Sequence, residues 1–164
     1  MGTSGMKRHV AILFTAVGVG LAASASQAHH SHPYFYDQCR SLTIEGRIDS
    51  VQWRDPHTLI VVRLDDGAAY TVDWGGLAGL THFGIVGPAK GALVPGVRVA
   101  VTGHPIRSAA RIRELSPDFT GEVNPNTVDP TLIRRTDDTW RWARTPADRM
   151  PDAPLVPCTD PAGT

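Results

Sequence analysis

The sequence predicts an all-β domain: a small five-stranded barrel of OB-like order with one short helix, followed by a Pro-rich tail. Three observations predict it. Residues 42–115 hold a succession of short runs in which apolar and polar residues alternate, as half-buried strands do. Turn dipeptides, Asp66-Gly67 above all, separate the runs. The order is three strands, a short helical stretch and two more strands, which is that of an OB barrel with a long, bent first strand. An open sandwich of five or six strands has the same element count and stays open as the alternative.

The elements follow in order. Residues 1–28 read as a secretory signal peptide. Lys7 and Arg8 give a positive start, Val10 to Ala23 form an uncharged apolar run, and Ser24 to Ala28 supply small residues for cleavage. Met6 also reads as a start. The apolar run is 14 residues long, short of the roughly 20 that span a bilayer. No membrane span is therefore expected after cleavage, and the expected address is the periplasm. Two cleavage sites compete, one leaving Ser26 and one leaving His29 as the first mature residue, and the second is favoured.

Residues 29–41 form a polar, aromatic, histidine-rich arm without periodicity. Leu42, Ile44 and Ile48 then share one parity and Val51 and Trp53 the other, which predicts a β-bulge near Asp49-Ser50 in one long strand. Asp55-Pro56 ends that strand, because proline cannot donate to a ladder. Thr58 to Asp65 is the second strand and Ala69 to Trp74 the third, with Tyr70, Val72 and Trp74 on one face. Leu77 to Phe83 has helical spacing for a turn or two, and 84–96 reads as loop. Val97, Val99 and Val101 mark a fourth strand ending at Gly103-His104-Pro105, and Ala110 to Leu115 a weaker fifth. Residues 116–164 are a tail: eight of the 13 prolines lie between Pro117 and Pro161. Asp129 as N-cap and Pro130 at the first helical position predict one short helix within it.

These residues resemble a family. His29-His30-Ser31, Leu42-x-Ile44-Glu45-Gly46-x-Ile48, Trp53-x-Asp55-Pro56-His57 and Pro95-Gly96-x-x-Val99-x-Val101-x-Gly103-His104-Pro105 are similar to segments of small exported bacterial proteins that share a domain of unknown function. The resemblance spans roughly residues 28–115. It departs at Asp55, where that family usually has Asn, and at His32-Pro33, where it usually has Phe-Ala. It implies export and a compact β-domain, and it supplies no activity and no catalytic residue.

Composition bounds the function. Hydrophobic residues make up 41% and charged residues 20% of the 164, enough apolar surface for a core. Loss of residues 1–28 leaves 14 basic against 16 acidic residues, a charge of −2, which speaks against nucleic acid. Hydrolase, zinc-protease, phosphate-loop and dinucleotide signatures are absent, as is Cys-x-x-Cys, so a non-enzymatic protein is expected. Two cysteines in an exported chain usually pair. A Cys39–Cys158 bridge would contribute roughly 4–5 kcal/mol on the loop-entropy model.

The histidines carry the candidate chemistry. His57 and His104 fall in loops expected at the ligand end of an OB barrel, each beside a proline. His29, His30 and His32 sit on an arm that can reach the same end. An N-terminal histidine chelates copper(II) through amine and imidazole together, so copper is the first metal to consider and nickel or zinc the second. The bland reading is that His57 and His104 bond backbone carbonyls, the arm is an ordinary terminus, and the protein is an envelope interaction module whose partner is another protein. Trp53 and Trp74 are read as core or rim, and Trp140 and Trp142 as packing residues among solvated arginines.

Overall fold

The computed structural model describes residues 32–144. The expected signal peptide, His29, His30 and Cys158 lie outside the described residues. Ten elements follow one another: α1 (His32–Phe35), β1 (Leu42–Gln52), β2 (Thr58–Arg63), β3 (Ala69–Trp74), α2 (Leu77–His82), α3 (Val86–Ala92), β4 (Arg98–Pro105), α4 (Ala109–Leu115), β5 (Thr127–Arg135) and β6 (Arg141–Ala143).

β1 pairs antiparallel with β2 on one side and β4 on the other, β2 with β3, and β4 with β5. A parallel pairing of Thr71 with Thr127 and Val72 with Val128 joins β3 to β5 and closes the barrel. β6 adds an outer strand along Leu132–Arg134. This is the OB-like order. Alternation built it: Ile44 and Ile48 of β1, Ile60 and Val62 of β2, Val72 and Trp74 of β3, and Val99 and Val101 of β4 all point inward and are buried. Burial of each such side chain is worth roughly 1.5–3 kcal/mol. The expected bulge is present, since Ile48 opposes Val62 and Ser50 opposes Val61, leaving Asp49 as the extra residue. At Gly46 a Cβ would lie 2.2 Å from the Arg63 carbonyl oxygen, so only glycine lets β1 and β2 approach there. Leu80, Val86, Ala89 and Leu93 from α2, α3 and the turn after them add to the core.

Four short helices form where one was expected in the barrel, found at Leu77–His82, and one in the tail, and 84–96 holds α3 rather than loop alone. Two further expectations are corrected. Ala110 to Leu115 is helix α4, not the fifth strand. Ser108 caps it, accepting from Arg111 N–H at 3.2 Å, and the run that follows consists largely of good helix formers with one buried residue, Ile112. The fifth strand is Thr127–Arg135, where a helix was expected from Asp129 and Pro130. Asp129 lies inside this strand rather than ahead of a helix, and its carboxylate pairs with Arg144. Pro130 is tolerated because it faces Gly103 at a register irregularity of the β4–β5 ladder. The barrel therefore runs to Arg135 and not to residue 115, and the stretch after Ser116 supplies two strands.

Candidate functional site

The outer face of strands two and three, with the loops that flank it, is the usual ligand surface of OB-like barrels. Here Leu59 of β2 and Thr71 and Asp73 of β3 form the floor of a cleft on that face. The β1–β2 loop contributes Arg54 and His57, and the β4–β5 loop contributes Ile106, Phe119, Glu122, Val123 and Asn124. Phe35 and Tyr36 complete the wall around a volume of about 390 Å³, within the usual range of small-molecule sites.

Its lining includes one carboxylate with two donors. His57 Nδ1 meets Asp73 Oδ1 at 2.6 Å, and the Tyr36 hydroxyl donates to Asp73 Oδ2 at 2.5 Å. Tyr36 reaches Asp73 because residues 35–37 run antiparallel to 105–107: Tyr36 bridges Ile106, Arg107 N–H donates to the Phe35 carbonyl, and Asp37 N–H donates to that of Pro105. Burial, and then the charge of Asp73, hold the Tyr36 phenol far above its ordinary range, so it stays a donor. The hydrogen bond to Asp73 raises the His57 pKa, against partial burial and the charge of Arg54.

The β1–β2 loop is set by α2. Asp55 Oδ1 accepts from Ala78 N–H at 3.1 Å, and the Arg54 carbonyl from Leu77 N–H at 3.3 Å. Asp55 thus supplies the cap that Gly76, with no side chain, lacks. Asparagine, expected at this position from the resemblance, offers the same acceptor oxygen.

The histidines divide. His57 lines the cleft. His104 does not: the barrel extends β4 as far as Pro105, and His104 Nδ1 instead meets the Arg40 carbonyl at 2.8 Å, the backbone contact of the bland reading. His32 begins α1, three residues before the cleft residue Phe35. Among the described residues no group of three metal-donor side chains converges. Cys39 lies near the end of the arm, its N–H donating to Asp37. Trp74 is buried in the core, with Trp53, Trp140 and Trp142 packed against it.

Sequence reasoning missed Tyr36, Arg54, Asp73, Phe119 and Glu122. The available signal was parity: with Tyr70, Val72 and Trp74 facing inward, Asp73 had to face out, toward the ligand face.

A family model matches residues 18–113, that of a family of unknown function, DUF6152. The chain belongs to this family. The matched stretch covers β1 to β4 and most of α4, and so includes Arg54, His57 and Asp73 of the cleft but not β5. No curated protein matches the chain.

Proposed function

We propose that this DUF6152 protein is an exported, non-enzymatic binding protein of the periplasm, and that the cleft over β2 and β3 is its ligand site. The observation that carries the reading is the cleft itself: a mainly apolar hollow on the OB ligand face with one ordered polar cluster, His57–Asp73–Tyr36, in its lining. Nothing in that cluster offers an activated nucleophile, which favours binding over turnover. Mature protein purified from the periplasm under gentle conditions and weighed by native mass spectrometry tests it. A bound mass is expected, and Leu59→Trp, which fills the floor, should abolish it. A Leu59→Trp variant that keeps the bound mass refutes the reading.

A specific observation favours a second reading, in which the ligand is a metal ion, copper(II) first and nickel or zinc after it. Metal-binding histidines usually give their other ring nitrogen to a carboxylate, as His57 Nδ1 does to Asp73. The arm that carries His29, His30 and His32 joins the fold at Tyr36, on the same carboxylate. The site so proposed is His57 with the arm, and His104 moves to second place. Copper titration decides between the cases. Both His57→Ala and deletion of 29–32 should weaken a composite site strongly, while an adventitious arm loses all copper on deletion and ignores His57→Ala. The envelope-module alternative rests on Phe83 and Val94, exposed at 60% and 41% around α2 and α3. The same export argument supports a Cys39–Cys158 bridge.

A further inference from the structure

The cleft wall beside His57 carries a fixed cation, Arg54. Arg54 stands close enough that its charge acts on the imidazole. Seven other arginines among the described residues are paired with carboxylates. Arg54 makes no ion pair among the described residues, although Glu122 lines the same cleft. Asp73, the other carboxylate in the lining, has both oxygens engaged by His57 and Tyr36.

Beside the uncharged polar residues Thr71, Asn124 and Thr127, the rest of the lining is mainly apolar. Phe35 and Phe119 meet edge to face at 5.4 Å, and Leu59, Ile106 and Val123 continue the surface. A polar head and an apolar body are thus provided for separately, with the cation on the β1–β2 loop and the only unengaged carboxylate of the described lining, Glu122, on the β4–β5 loop.

We propose that the cleft takes a small amphipathic organic anion, its carboxylate held at Arg54 beside His57 and its apolar body laid along Leu59, Ile106 and Phe119. The proposal rests on the cleft being the ligand site and adds the class of ligand. A guanidinium forms paired hydrogen bonds with a carboxylate, and these strengthen where apolar side chains exclude water. Glu122, on the β4–β5 loop, repels an anionic head from its own side chain and leaves Arg54 as the counter-ion. A nucleic acid is disfavoured, because one cation in a net-negative mature chain gives little hold on a phosphate backbone.

Calorimetric titration of the full mature chain tests the class, with octanoate as the probe and octanol and octylamine as matched controls. Octanoate should bind saturably and octylamine should not. Arg54→Gln should weaken octanoate at least tenfold, and Glu122→Gln should leave it unchanged or tighter. Each variant is first shown by circular dichroism to keep the wild-type fold. The absence of saturable octanoate binding, octylamine binding as well as octanoate, or a loss of affinity in Glu122→Gln overturns the proposal. Leu59→Trp separates the two levels. If octanoate survives this change the cleft is not where it binds, whereas a co-purified neutral or cationic ligand lost in Leu59→Trp leaves the cleft standing and removes only the anion.

Discussion

Replacing Asp73 by asparagine tests whether charge holds the cluster at the cleft. The native carboxylate accepts on both oxygens, from His57 at 2.6 Å and from Tyr36 at 2.5 Å. Asparagine offers one acceptor and turns an NH2 group toward the other donor. A hydrogen bond to a charged group is worth about 1.5–3 kcal/mol net, and a buried donor left unsatisfied costs about 1–3. With Tyr36 only 4% exposed, losing one bond and weakening the other should cost about 2–4 kcal/mol, lowering Tm by roughly 10 °C. The effect carries a pH signature. Asp73 raises the folded pKa of His57 above its unfolded value, about 6.5. The stability this contributes is complete below that value and is lost as the pH rises through the folded pKa. Thermal melts followed by circular dichroism at pH 6 and pH 9 should therefore show a larger gap between wild type and Asp73→Asn at pH 6. His57→Gln should lose the pH dependence that this pair gives. An equal gap at both pH values, or a variant as stable as wild type, would refute the reasoning.

Asp129→Ala leaves the Arg144 guanidinium without its fully buried partner and should cost about 3–5 kcal/mol, read from the midpoint of urea unfolding. Gly103→Ala places a Cβ 2.2 Å from the Asp129 carbonyl oxygen. Parting β4 from β5 to admit it should cost at least about 1–3 kcal/mol, seen as a lower Tm or as insoluble protein. Mass spectrometry of the oxidised mature chain after alkylation should find one disulfide, Cys39–Cys158, and a labelled thiol would count against it.

Much of the barrel was legible because its first four strands alternate cleanly, and the parity switch at Asp49 marks the bulge. β5 hid for a physical reason. Its inward residues Val128 and Ile133 lie an odd number of positions apart, and only the irregularity opposite Gly103 brings both to the core. Asp129-Pro130 meanwhile imitates a helix start. The reverse error befell α4: Ala110 and Ile112 are spaced like a strand, but the Ser108 cap and the helix formers after it prevail. At the site, His57 was legible because its loop was. Tyr36 and Asp73 were not, since they meet it through cross-strand register and through the pairing of the arm with residues 105–107, contacts that no local pattern encodes. His104 misled because Gly-His-Pro resembles a loop, whereas pairing with β5 carries β4 through it.

The seam between β3 and β5 has a consequence for how the molecule is made. It consists of two residue pairs, Thr71 with Thr127 and Val72 with Val128, whose members stand 56 positions apart. A nascent or unfolding chain that has assembled β1 to β4 therefore has two raw strand edges, at β3 and at β4, until the last fifty residues arrive. Such edges recruit any passing strand, and distant pairings of this kind are slow to form. A fragment cut at residue 113, where the family match ends, is thus a sticky open ribbon rather than a smaller version of the protein. The stretch that looks least like the family is the one that makes the fold safe to keep in solution.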